Sequence, residues 1–323
     1  MTPAGEQLAA EIRANGPIPF SRFMDVALYH SEHGYYRTTQ DPFGIHGDFY
    51  TASQVQPVFG RLLASVFRRW RQSHAGAQDF TVVEWGAGRG ELGELLAEFP
   101  YFALDYDRGA APRSMEGVIF SNELMDALPV DVVKIREGTP RMMRVGLGDG
   151  GFQWVEAETP GVEWLRYLST LPVPAEGEFW MELPVRMMET LRQMSGMLAR
   201  GRIVAIDYGY TSREIIRFPA GTLMSYRKHR AMEDVLRHPG KQDITAHVPF
   251  TYLEACAREL GLSCEPLEPM SRFLLRAGEE DQFASALAAP DEASAQKLRS
   301  QLKTLLIDFG ESFRCLTMVR PGE

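Results

Sequence analysis

Cysteine is scarce in this 323-residue chain. Cys256, Cys264 and Cys315 are its only thiols, and no two of them form a C-x-x-C pair. The seven histidines fall at no ligand spacing with them, so no metal site is expected. Three unpaired thiols fit a reducing compartment. Basic charge is short as well: 34 Lys and Arg stand against 43 Asp and Glu, a formal charge of −9. Phosphate contacts need clustered cations, so nucleic acid is not an expected partner. The local run Arg68, Arg69, Arg71 reads as the wet face of a helix. No apolar run reaches the length of a membrane span, about 20 residues. The N-terminus, with Glu6 and Glu11, carries neither an apolar signal core nor an arginine-rich presequence. These absences lead us to expect a cytoplasmic globular protein without membrane insertion, and they leave its oligomeric state open.

What the chain does carry is the stretch Thr81-Val82-Val83-Glu84-Trp85-Gly86-Ala87-Gly88-Arg89-Gly90, followed by Leu92, Leu95, Leu96 and Phe99 at helical spacing. It reads as a buried strand, a tight glycine turn and an amphipathic helix, the opening of a nucleotide-binding α/β unit. The spacing is G-x-G-x-G, and the third glycine of the dinucleotide pattern would fall on Glu91. Glu84, two residues before the first glycine, would repel a pyrophosphate. It suits a cationic ligand instead, such as the sulfonium and ammonium of S-adenosylmethionine.

Around that unit the sequence suggests two regions. Residues 1–78 form a helical extension, with helices over Pro3–Ala14 and Phe20–Tyr29. A third helix there carries the stripe Val58, Phe59, Leu62, Leu63, Val66, Phe67 and Trp70, read as core packing. Residues 79–323 form the α/β domain. Tyr101 to Asp107 reads as its second strand, with Asp105 about 20 residues beyond the glycines, where such folds hold a ribose. Only a short segment separates it from the strand Val118-Ile119-Phe120, so the sheet is expected to lack one βα unit. Two insertions interrupt the rhythm: an antiparallel hairpin or meander over about 131–160, and a polar segment over 211–248. Between them lie a helix from about Val185 to Leu198 and the strand Ile203–Ile206, which ends in Asp207-Tyr208-Gly209-Tyr210. A helix over Phe250–Leu260, a strand at Phe273-Leu274-Leu275, a mostly helical Asp281–Leu306 and a last strand at Phe313–Val319 complete the pattern.

Three strand ends then present acids: Glu84, Asn122-Glu123 with Asp126, and Asp207-Tyr208-Gly209. Methyl transfer from a sulfonium is an in-line displacement in which alignment can contribute roughly 7–11 kcal/mol. If the acceptor is arginine, its guanidinium pKa near 13.8 makes outright deprotonation at pH 7 cost about 9 kcal/mol. Carboxylates along the edges of the plane, for which Glu123 and Asp126 are placed, can orient it and take the proton as the methyl arrives. Asp243-Ile244-Thr245-Ala246-His247 offers an imidazole beside an acid, or an ordinary surface turn. Tyr35, Tyr36, Phe49 and Tyr50 read as a lid or as aromatic core.

These stretches resemble the MidA-type methyltransferases, a family that includes the mitochondrial complex I assembly factor 7. The resemblance runs through nearly the whole chain. It lies in Phe23-Met24 to His33-Gly34-Tyr35-Tyr36, Gly47-Asp48-Phe49-Tyr50-Thr51-Ala52-Ser53, the glycine motif, Asn122-Glu123-Leu124-Met125-Asp126-Ala127-Leu128-Pro129, Asp207-Tyr208-Gly209 and Asp243-Ile244-Thr245-Ala246-His247-Val248. It implies a class I methyltransferase fold with a Rossmann-like sheet and S-adenosylmethionine as cofactor, leaving as S-adenosylhomocysteine. Carried over residue by residue, it implies cofactor contacts at Glu84, Gly86, Gly88, Gly90 and Asp105, and at Asp48, Thr51 and Ser53 of the Gly47–Ser53 loop. Asn122, Glu123 and Asp126 fall on the catalytic, acceptor side. The family's mitochondrial members methylate an arginine of a complex I subunit, so the expected partner is a protein substrate. The alternatives are a small-molecule methyltransferase on the same site and an assembly chaperone that binds the cofactor without turnover. One departure stands out: family members have a longer segment after the second strand, and here only Asp105-Tyr106-Asp107-Arg108-Gly109 remains.

Overall fold

The computed structural model describes residues 1–37, 57–73, 79–106, 108–227, 230–232 and 234–322. The chain divides into two compact units that interleave along it. One consists of Met1–Tyr50, Asp126–Met188 and Tyr210–Thr251, the other of Thr51–Met125, Glu189–Gly209 and Tyr252–Glu323. The sequence had suggested a single boundary after residue 78.

The second of these units is built on an open mixed sheet. From one edge its strands run Ser263–Cys264, Phe313–Arg320, Leu198–Tyr210, Met115–Asn122, Phe80–Trp85 and Tyr101–Leu104. The last four are parallel to one another, and Phe313–Arg320 lies antiparallel on Leu198–Tyr210. Val82, Val83, Val118, Ile119 and Phe120 are wholly buried, the signature of parallel strands covered on both faces. Phe80–Trp85 has Tyr101–Leu104 on one side and Met115–Asn122 on the other. The strand order therefore reverses beside it, and such a switch point opens a ligand crevice beyond the carboxyl ends of the strands. Between Leu104 and Met115 the described residues form only the isolated bridge Asp105–Arg108, so the sheet stops at Tyr101–Leu104, as the shortened segment implied.

The helix Val58–Gln72 lays Val58, Phe59, Leu62, Leu63, Val66 and Phe67 into one core cluster with Val82, Val118, Phe120, Val204 and Ile206 of the sheet. Two local expectations fail here. Phe273-Leu274-Leu275 is not a strand but part of the helix Met270–Gly278. Its buried Met270, Phe273, Leu274 and Ala277 follow the helical period, which three apolar residues in a row could not reveal. The helix expected over Leu92–Phe99 is instead a succession of turns, closed by Gly93 N–H to Gly90 O and Phe99 N–H to Leu96 O, both at 3.0 Å. Gly90 at φ +71° and a second glycine at 93 disfavour a regular first turn. The stripe still does its packing, with Leu92, Leu96 and Phe99 buried.

The other unit holds the antiparallel sheet Ile18–Pro19, Thr139–Gly148, Asp131–Arg136 and Glu178–Leu183, with Gly151–Glu156 beside Thr139–Gly148. The meander thus recruits a strand from beyond residue 160 and one from the N-terminus. The helices Pro3–Asn15 and Phe20–Tyr29 bury Leu8, Ile12, Phe20, Phe23 and Met24 with Val132 and Val145 of that sheet. Thr2 caps the first helix, its Oγ1 accepting from Gly5 N–H. The polar insertion forms a small sheet of Arg230–Met232, Met224–Arg227 and Asp243–Thr245. Among the described residues no helix is long and apolar enough to cross a membrane.

Candidate active site

The turn after Phe80–Trp85 needs its glycines. Gly86, Gly88 and Gly90 stand at φ +79°, +54° and +71°, a region that costs other residues roughly 1–2 kcal/mol each. The Gly86 and Ala87 amides both donate to the carbonyl of Leu104, at 2.8 and 2.9 Å, so the turn hangs on the end of the neighbouring strand. A Cβ placed on Gly86 would lie 2.8 Å from Leu124 Cδ1, which shows how closely the strand end after Asn122 packs against the turn.

Glu84, only 7% exposed, sits below that turn. The Tyr101 hydroxyl donates to its Oε2. Burial pushes the Glu84 carboxyl up to about 7, the Tyr101 hydrogen bond works against that rise, and the charges of Glu91 and Asp105 add to it. Burial, with Glu84 beside it, raises the Tyr101 hydroxyl in turn. Among the described residues no cation pairs with Glu84. A buried carboxylate without a counter-ion fits an incoming cation, and an ammonium group meets that need. Sequence reading missed Tyr101, which stands opposite Val82 and so reaches Glu84 as a diagonal neighbour, a relation that only the register reveals.

Asp105 lies beside the same turn, but its carboxylate is engaged. Oδ2 takes Arg108 Nη2 at 2.9 Å and Oδ1 takes the Tyr106 amide at 2.8 Å, while the same Arg108 nitrogen reaches Gly88 O at 3.1 Å. Arg108 clamps the shortened segment to the glycine turn, and nothing in the sequence pattern pointed to it.

At the end of the adjacent strand, Glu123 adopts φ +54°, unusual for a residue with a side chain. Its N–H donates to Ile206 O at 3.0 Å. Asn122 Nδ2 donates to Glu123 Oε1 at 3.1 Å, and among the described residues the buried Asn122 Oδ1 has no partner. Asp207, 1% exposed, accepts the Met125 amide through Oδ2 and the Tyr208 amide through Oδ1, both at 2.9 Å. Glu84, the three glycines, Asp105, Asn122 and Glu123 thus share the carboxyl edge of three neighbouring strands.

Asp126 belongs to the other unit. It is buried, its carbonyl takes the Ala246 amide at 2.9 Å, and its charge, like that of Asp243, bears on Tyr36 and Tyr226. Tyr36 donates to Asp243 Oδ1 at 2.8 Å. Burial first, then the charges of Asp243, Tyr29 and Asp126, hold the Tyr36 hydroxyl well above its ordinary range. His247 has contacts of its own. Its amide donates to Thr222 Oγ1 at 3.0 Å, its ring meets Phe218 edge-on at 5.2 Å, and burial pushes its imidazole down. Thr222 in turn donates through N–H and Oγ1 to the buried Glu182, at 2.9 and 2.8 Å, an acid the sequence reading passed over. Asp48, Thr51 and Ser53, with Phe49 and Tyr50, lie outside the described residues.

A glycine turn at a switch point, a buried acid that suits a cation and a carboxylate on the next strand end define the site of a methyl transferase of the Rossmann-like α/β class. The family of S-adenosyl-L-methionine-dependent methyltransferases matches residues 101–267, and the chain belongs to that family; its cofactor is S-adenosylmethionine. Among curated proteins it is 26% identical to the mitochondrial protein arginine methyltransferase NDUFAF7 homolog of Drosophila melanogaster, over 98% of this chain and 84% of that one. It is 23% identical to the mitochondrial protein arginine methyltransferase NDUFAF7 of Mus musculus, over 92% and 79%. Among solved structures, a Burkholderia thailandensis protein bound to S-adenosyl-homocysteine is 29% identical, with a TM-score of 0.87 over 98% of this chain and 92% of that one.

Proposed function

We propose that this enzyme methylates an arginine side chain of a protein, a subunit of a respiratory complex I-type assembly. The observation that carries the reading is the Asn122–Glu123 pair: an acid held in a left-handed backbone at the switch point, its carboxylate bonded by the neighbouring amide. The names of relatives that align along nearly the whole chain support the choice of acceptor. In this reading Glu84 takes the cofactor's ammonium, Gly86, Gly88 and Gly90 let its amino-acid end approach the backbone, and Asp105 offers a ribose contact once it shares or releases Arg108. Asp48, Thr51 and Ser53 complete the cofactor contacts. When bound, the cofactor supplies an electrophilic methyl group.

The protein's own task is the acceptor. Glu123 orients the guanidinium and accepts its proton as the nitrogen is alkylated, so that the full cost of prior deprotonation, about 9 kcal/mol at pH 7, is never met. Asn122, whose amide oxygen has no partner among the described residues, accepts a second N–H. Buried thiols at Cys256 and Cys315 suit a reducing, cytoplasmic setting.

The test is incubation with isotopically labelled S-adenosylmethionine in a lysate of the source organism, followed by acid hydrolysis of what is labelled. A single labelled protein yielding methylarginine supports the proposal. A small labelled product points to small-molecule methylation, and absence of label to a binding protein without turnover.

A further inference from the structure

The strand Leu198–Tyr210 grips the Asn122–Met125 turn on both sides of Glu123. Before the strained residue, Glu123 N–H donates to Ile206 O at 3.0 Å. After it, Met125 N–H donates to Asp207 Oδ2 at 2.9 Å, while Asp207 Oδ1 is fixed by the Tyr208 amide at 2.9 Å. Between the two tethers lie Glu123, at φ +54°, and Leu124, whose side chain packs on Gly86. A glutamate left to itself leaves the left-handed region, so the residues that pin its neighbours determine where its carboxylate stands. Asp207 is suited to this: it is 1% exposed, and a buried carboxylate that accepts backbone amides makes strong, short-range tethers.

We propose that Asp207 is a positioning residue for Glu123. Its carboxylate holds the Met125 amide, keeps Glu123 in the left-handed conformation and thereby sets the Glu123 carboxylate for the acceptor. It rests on the reading of Glu123 as the acceptor-side group.

Asp207→Asn keeps the shape and replaces one accepting oxygen with an NH2 that cannot accept an amide. We compare it with Glu123→Gln and with the double variant, measuring methyl-label transfer and calorimetric affinity for S-adenosylhomocysteine. Asp207→Asn should bind S-adenosylhomocysteine within about threefold of the native protein while transferring label about tenfold more slowly. The double variant should be no slower than Glu123→Gln alone, because a residue acting through Glu123 has nothing left to position. Affinity falling in parallel with rate, or additive losses, overturns the proposal.

A second readout needs no acceptor. Glycine is at ease at φ +54°, so Glu123→Gly should raise Tm by a few degrees in the native background and give no gain beside Asp207→Asn, where the turn has already relaxed. Equal gains in both backgrounds overturn the proposal. If the native protein transfers label to nothing, the acceptor reading fails, and this thermal cycle still decides the role of Asp207. Should Asp207→Asn not fold, Asp207→Glu keeps the charge and displaces the tether. Slowed transfer with native affinity then supports the proposal, and native transfer rates overturn it.

Discussion

Glu84 carries two opposed consequences in one side chain. Its carboxyl is raised to about 7, chiefly by burial, so a cationic ligand must meet a group that is half protonated at neutral pH. Affinity for S-adenosylhomocysteine, whose ammonium needs the ionised form, should fall about tenfold between pH 8 and pH 6. Calorimetry across that range should show the slope in the native protein and a weak, flat profile in Glu84→Gln. The unliganded protein should respond the other way. A carboxyl whose folded pKa is raised contributes stability that is present below its usual 4.5 and lost as pH rises through about 7. Glu84→Gln removes that loss, so at pH 8 the unliganded variant should be more stable in urea, by on the order of 3 kcal/mol, and at pH 4 no more stable than the native protein. Glu123 is the contrasting case, since its role lies with the acceptor. Glu123→Gln should leave cofactor affinity within a few-fold and slow turnover by roughly 10²-fold. Parallel loss of binding and turnover would instead make Glu123 a cofactor ligand. The acid before the glycines was legible in the sequence because glycine spacing and strand composition are local. The partners that tune it were not: Tyr101 reaches Glu84 across a strand pair, and Arg108 reaches Asp105 and Gly88 through a turn that has no sequence signature.

Most strands and helices were legible as elements, because β-branched runs and apolar stripes declare themselves within one window. Pro3–Asn15, Phe20–Tyr29 and Phe313–Arg320 are instances. Failures came where a short apolar triplet fits either period, as at Phe273–Leu275, or where glycine breaks a helix whose stripe remains, as at Leu92–Phe99. Strand register lay beyond reach altogether, and it creates a constraint of its own. Thr81, Gly117 and Gly201 stand side by side across three parallel strands. Gly117 lies at φ +136°, and a Cβ there would be 2.1 Å from the Thr81 carbonyl oxygen. Backbone cannot retreat as a side-chain tip can, so Gly117→Ala should destabilise the protein by about 3 kcal/mol, measured by urea unfolding. Gly86→Val tests a different kind of glycine. Its obstacle is the flexible end of Leu124, so the variant should fold with reduced stability and lose S-adenosylhomocysteine binding. Unchanged affinity in folded Gly86→Val would remove the cofactor from this turn.

Across the whole molecule, besides the passage at 50/51, which lies outside the described residues, the chain passes from one unit to the other at 125/126, 188/189, 209/210 and 251/252. None of these passages is a Pro- or Gly-rich linker of the kind that marks a boundary in a sequence, which is why a single division after residue 78 was the natural reading. The passage at 125/126 follows Asn122–Glu123 and the one at 209/210 follows Asp207, so the turn that carries the candidate acid ends where its unit ends. Each unit has its own buried core, one around Val58–Phe67 and the central strands, the other around Phe20–Met24 and Val132–Val145. A ligand that binds only the folded state stabilises by about 2.7 kcal/mol at a hundredfold excess over its dissociation constant. Where that stabilisation is felt depends on which unit holds the ligand. With S-adenosylhomocysteine at the glycine turn, amide hydrogen exchange should slow in peptides covering residues 82–90, 101–106 and 120–125. Peptides from the antiparallel sheet at 131–156 should keep their free-state rates, apart from any slowing that global stabilisation imposes on the slowest amides. Protection confined to residues 131–156 or to the 211–248 insertion, with the glycine turn unchanged, would mean that the cofactor binds elsewhere and that the acids at the sheet's carboxyl edge serve another purpose.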